Sequence, residues 1–164
     1  MTDGPPLDPG AAAADLLAVL RPLVGREVHV SDWLTVTQDR IDQFAAATGD
    51  HQWIHVDLAR AAHESPWRTT IAHGMLTLSL YAQLRHAGPA AQSWPAVRTV
   101  INYGLNRVRF TRAVKSNSRL RLRVTLAEVV PVPGAVQVEE TCVFELDGDS
   151  TPACVASMLK RLYP

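Results

Sequence analysis

Asp50 and His55 stand five positions apart in Thr48-Gly-Asp-His-Gln-Trp-Ile-His55, and His73-Gly-Met-Leu76 begins eighteen residues later. A water held between a carboxylate and an imidazole loses a proton to one group while the other passes a proton to a substrate. Histidine suits this work because its ordinary pKa, about 6.5, lies near neutrality. The plainer reading is that Asp50 is a turn or cap residue after Gly49 and that His55 is an ordinary surface or satisfied histidine. Gly74 adds weight to the chemical reading. It opens an apolar segment that reads as a helix, and the first N–H groups of a helix are free in a field that favours negative charge. With no side chain it lets a ligand approach the backbone. Such an end can hold the oxygen of a thioester as it becomes enolate-like. Alternatively, Gly74 only permits close helix–sheet packing.

These residues need elements to place them. Residues 1–10, rich in Gly, Pro and Asp, read as disordered, and 11–24 as a short helix interrupted at Pro22. Glu27–Val30 reads as a strand. Thr37–Thr48 reads as an amphipathic helix with Thr37 or Asp39 as its cap and Gly49 as its stop. A loop is expected through His55, a short helix capped by Asp57 to about Ala62, and a second loop over 64–70. The apolar residues of 74–85 fall on nearly every side, the pattern of a fully buried helix ended at His86-Ala-Gly-Pro89. Strands are then expected over 98–110, 119–130, 135–146 and 152–162, with turns at 131–134 and 147–150. Residues 119–126 alternate strictly, with Leu120, Leu122, Val124 and Leu126 on one face and Arg119, Arg121, Arg123 and Thr125 on the other. An antiparallel sheet curled around one buried helix is the α+β arrangement called the hot-dog fold. The chain divides into an N-terminal extension, 1–24, and a single domain, 25–164.

Several functions are disfavoured. The net charge is zero, which gives no signature of nucleic acid or membrane surface, and no apolar run has the length of a membrane span. Asp3, Asp8 and Asp15 precede the first basic residue, Arg21, so no signal or transit peptide is expected and a cytoplasmic location is. Cys142 and Cys154 fit no metal or redox spacing and read as buried free thiols. His51 and His55 have i, i+4 spacing and His63 and His73 follow, but Gln52 stands where a His-Glu-x-x-His site needs Glu, so no metal is expected. The serine-hydrolase elbow, the dinucleotide fingerprint and the P-loop are all missing from the sequence. The arginine ladder reads as a solvated sheet face, and Arg107, Arg109, Arg112 and Lys115 stay open between that role and contact with the phosphates of an acyl-CoA.

With these motifs in place, residues 41–80 resemble the MaoC-like dehydratases, the (R)-specific enoyl-CoA hydratase group. That family carries Asp-x-Asn-Pro-x-His and then a His-Gly before its central helix. Here the two parts read Asp50-His-Gln-Trp-Ile-His55 and His73-Gly74, and Ile71-Ala-His-Gly74 with Asn102-Tyr-Gly-Leu105 resembles the nodulation-protein-N-like branch. The resemblance runs from about Gly25 to the C-terminus. It implies that Asp50 and His55 activate water and that the Gly74 N–H polarises the thioester carbonyl. It also implies a trans-2-enoyl-CoA substrate, an (R)-3-hydroxyacyl-CoA product, no cofactor, and a homodimer. Gln52 and Trp53 depart from the motif, and Trp53 adds bulk to line or narrow an acyl pocket. Ser79 is expected to shape the same pocket or to be a small packing residue. Two other functions remain open: a hot-dog acyl-CoA thioesterase, and a non-catalytic acyl-CoA-binding subunit.

Overall fold

A computed structural model describes residues 10–88, 94 and 96–164, so the expected disorder over 1–10 and the Pro89 stop lie largely outside the described residues. Helix α1 (Ala11–Leu20) gives way to a 3-10 turn at Arg21–Leu23, where Pro22 sits. Its Ala13, Leu16, Leu17 and Leu20 are buried in the main core. Strands β1 (Glu27–Val30) and β2 (Leu34–Val36) follow, and β2 had no signal strong enough to be read at three residues. Helix α2 (Gln38–Thr48) begins at Thr37, whose Oγ1 accepts the Arg40 N–H at 3.3 Å. It ends at Gly49 with φ 76°, a left-handed conformation that glycine takes at no Cβ cost.

The expected loop through His55 contains a helical turn, α3 (Trp53–Val56). The motif hides the reason: its family proline falls at the first helical position, where proline is favoured, and Trp53 occupies that position here. Helix α4 (Leu58–Glu64) starts at Asp57, whose Oδ1 accepts the Arg60 N–H at 2.9 Å. The central helix is two segments, α5 (Gly74–Ser79) and α6 (Tyr81–Arg85), joined at Leu80, where ψ flattens to −11°. It is not buried all round: Met75 is 56% exposed, and Ser79 is exposed too.

The sheet has the order β1-β4-β5-β6-β3, with β2 also on β4, formed by β3 (Thr99–Phe110), β4 (Ser118–Val132), β5 (Ala135–Leu146) and β6 (Cys154–Tyr163). All named pairings are antiparallel. The β4–β5 hairpin is tighter than expected: Pro131 pairs with Val136 inside the ladder, leaving Pro133-Gly134 as the turn. Leu120, Leu122, Val124 and Leu126 are fully buried, as the alternation requires. The arginines opposite them are ion-paired, Arg119 with Asp147 at 3.0 Å, Arg121 with Glu145 at 2.6 Å and Arg123 with Glu27 at 2.7 Å. Both cysteines are free and buried. Strand β3 is an edge, and the neighbouring flank of the central helix is where Met75 and Ser79 meet solvent. No helix among the described residues is long and apolar enough to cross a membrane.

Candidate active site

Gly49 turns the chain out of α2, and Asp50 Oδ1 then accepts the Gln52 N–H at 3.3 Å, the side-chain turn typical of aspartate. The single turn of α3 swings His55 inward, to 6% exposure. Gln38 holds that turn from α2 by donating Nε2 to the His55 carbonyl at 2.8 Å. The Ile71 N–H donates to the Ile54 carbonyl at 3.0 Å, which lays the segment before α5 alongside α3.

His55 Nδ1 lies 2.7 Å from the Ile71 carbonyl. A carbonyl only accepts, so Nδ1 carries the proton and the neutral ring keeps its lone pair on Nε2. His73 Nε2 donates in the same way to the Asp50 carbonyl at 2.9 Å, and the Asp50 carboxylate lies 4.0 Å from the same nitrogen. The two imidazoles stack, with centroids 3.7 Å apart and planes 26° from parallel, and Phe44 packs on His73 at 5.0 Å. One polar atom from each of Asp50, His55 and His73 lies within 4.8 Å of the others. A single water fits within hydrogen-bond reach of the carboxylate and an imidazole at such spacing.

Beside His55 is a cavity of about 240 Å³, lined also by Ile71, Gly74, Thr77, Phe110 and Arg112. No side chain caps the first turn of α5, so its leading N–H groups are free of the usual capping partner. Gly74 is closely approached: a Cβ there would lie 2.9 Å from two ring carbons of Phe110, the last residue of β3.

The family model for the MaoC like domain matches residues 20–145. The chain belongs to the MaoC-like family. Its relatives include the 3-hydroxyacyl-thioester dehydratase Z of Mycobacterium tuberculosis, 44% identical over 151 residues that span 92% of this chain and 95% of the relative. They also include nodulation protein N of Rhizobium leguminosarum bv. viciae, 43% identical over 148 residues, 87% of this chain and 88% of the relative. The unliganded R-hydratase PhaJ1 of Pseudomonas aeruginosa superposes with a TM-score of 0.64 at 24% identity, over 85% of this chain and 81% of that one. An (R)-hydratase of A. caviae does so with the same TM-score at 21% identity. The fold is the hot-dog fold.

The structure brings Asp50, His55 and Gly74 around one region and leaves Trp53 and Ser79 outside the His55 cavity. Trp53 does not line the His55 cavity, and its ring lies under the Arg60 guanidinium at 4.4 Å. Ser79 donates to the Met75 carbonyl at 2.7 Å and lines a separate cavity with Leu78 and Leu105. His51 and His63 are exposed, so the i, i+4 spacing does not describe the histidines that meet. His73 was not legible as a site residue, because the bond to Asp50 spans 23 positions. Its sequence signals were its place among the histidines that follow His55 and its adjacency to Gly74. The His55 and His73 rings each give an N–H to a carbonyl and meet face to face.

Burial lowers the His55 pKa from its ordinary value and the His73 ring adds to the effect, while the Ile71 carbonyl and Asp50 oppose it. The folded state therefore prefers the neutral imidazole. The stability this contributes is fully present above the unfolded pKa of about 6.5 and is lost as pH falls toward the folded value. An NMR titration of the His55 ring protons is expected to give a midpoint below about 6.5. A midpoint above that value would contradict the electrostatic picture.

Proposed function

We propose that the protein is an (R)-specific hydratase/dehydratase, interconverting a trans-2-enoyl-CoA and its (R)-3-hydroxyacyl-CoA. The observation that carries this reading is the meeting of Asp50 and His55, one polar atom of each within 4.8 Å of the other, beside the uncapped first turn at Gly74. The relative named as a 3-hydroxyacyl-thioester dehydratase supports the same chemistry.

In hydration the shared water loses a proton to the Asp50/His55 pair and its oxygen bonds to C3 of the enoyl group. The double-bond electrons move onto the thioester oxygen, where the Gly74 N–H steadies the negative charge. The proton held by the pair then returns to C2. One water is added and nothing is oxidised or reduced, so the reading calls for no redox cofactor, and in it the Asp50/His55 pair rather than a metal activates the water. The reading includes a homodimer, supported by edge strand β3, where Val100, Ile101, Tyr103 and Leu105 are 43–53% exposed. It also places the protein in the cytoplasm.

The test is a panel of enoyl-CoA chain lengths, followed by absorbance loss of the conjugated thioester and chiral analysis of the product. The (R) alcohol is expected, with the rate unchanged by a chelator. Release of free CoA thiol would instead identify a thioesterase. Tight binding with no turnover at any length would identify a binding subunit.

A further inference from the structure

At the far end of the central helix the buried charges do not balance. Arg85 and Lys160 are 4% and 3% exposed, and between them stands one carboxylate, Glu140, fully buried. The Tyr81 hydroxyl donates to Glu140 Oε2 at 2.6 Å, and Lys160 Nζ lies 3.2 Å from the same oxygen and also against the Tyr81 hydroxyl. Arg85 Nη2 reaches Glu140 Oε1 only at 3.5 Å. None of the three guanidinium nitrogens of Arg85 has a hydrogen-bond partner among the described residues, nor does Glu140 Oε1. A guanidinium has five N–H donors, and burying them without acceptors is costly.

Arg85 forms part of the wall of a cavity of about 330 Å³, with Tyr81, Ala82, Val100, Asn102 and Lys160. Tyr81, Ala82 and Asn102 also line the next cavity toward Gly74, about 310 Å³, together with Leu78 and Ser79. The His55 cavity reaches Thr77, one residue earlier on the helix. The two cavities nearer Arg85 share a wall along the central helix, the His55 cavity lies nearer its start, and Gly74 to Arg85 spans about 16 Å at the helical rise. A carboxylate matches the two-pronged guanidinium donor and would bring two cations and one anion to neutrality. Burial pushes the Lys160 pKa down from its ordinary value, and a second anion nearby favours its charged form again.

We propose that the cavity at Arg85 binds a carboxylate, the far end of an acyl chain whose thioester lies at Gly74. The position of the thioester rests on the hydratase reading, whereas the anion site itself does not. The test is calorimetric binding of dodecanedioyl-CoA, the monothioester with a free carboxylate at its far end, against lauroyl-CoA. The wild-type protein is expected to bind the carboxylate-ended chain at least about tenfold more tightly. Arg85→Met is expected to abolish that preference and leave lauroyl-CoA binding unchanged. Equal affinity of the wild type for both chains would overturn the chain-end assignment, and a preference that survives Arg85→Met would overturn the site. Should Arg85→Met fail to fold, Arg85→Gln removes the charge and keeps a polar side chain, and an undiminished preference there would be equally fatal. Free dodecanedioate bound through Arg85, with no preference between the thioesters, would overturn the chain-end assignment. Failure of the wild type to hydrate an enoyl-CoA of any length in the panel would sink the hydratase reading and leave the binding preference standing.

Discussion

Asp50→Asn and His55→Gln are each expected to lower kcat for hydration by roughly two to four orders of magnitude, with the fold retained. Asparagine keeps an oxygen able to accept the Gln52 N–H, so the turn after Gly49 survives. What it loses is the charge that holds and deprotonates the water. Asp50 is exposed, and a substitution there has little reason to destabilise the chain. Glutamine at 55 keeps an N–H for the Ile71 carbonyl but has no basic lone pair to replace Nε2. Because the two groups act on one water, the double variant is expected to lose little more than the worse single variant. The measurement is kcat from loss of enoyl-thioester absorbance, beside the thermal midpoint of each variant. Losses that simply multiply in the double variant would argue that the two residues act on separate steps.

Where a signal is local, the chain announces its structure. Thr37, Gly49 and Asp57 act within four residues of their own positions, and the alternation of 119–126 repeats every second residue. The candidate pair Asp50 and His55 was legible for the same reason, as two residues five apart. His73 was not, since its partner is the Asp50 backbone, whose position depends on how α2, α3 and the segment before α5 pack. Phe110 meets Gly74 only because β3 returns to the helix N-terminus. The all-round apolar pattern of 74–85 misled because β3 is an edge strand, which leaves one flank of the helix open. A signal for the Arg85 cluster was present. Glu140 shares the inward parity of Val136, Val138, Cys142 and Phe144, and Lys160 that of Cys154, Ala156, Met158 and Leu162. A charge on an apolar face marks a buried polar network before any coordinates exist.

Phe144→Ala is expected to have the opposite character, a loss of about 3–5 kcal/mol of stability with catalysis per folded molecule unchanged. Phe144 has no exposed surface and heads the largest fully buried side chains. It sits in the middle strand, paired across the ladder with Leu122 on β4 and Cys154 on β6, so both neighbours line the hole that truncation leaves. A cavity there cannot close without bending three strands at once, which puts the cost toward the upper end of the range. For a chain of this length the change corresponds to a fall in thermal midpoint of roughly 6–20 °C. In urea the transition midpoint should drop while its slope is unchanged, since the folded state buries nearly the same surface. Phe144 lines none of the cavities along the central helix, so kcat below the melting range should match the wild type. A large fall in kcat at full folding would mean that the core beneath the sheet sets the position of Asp50 and His55, which the hydrogen bonds from Gln38, Ile71 and His73 otherwise account for.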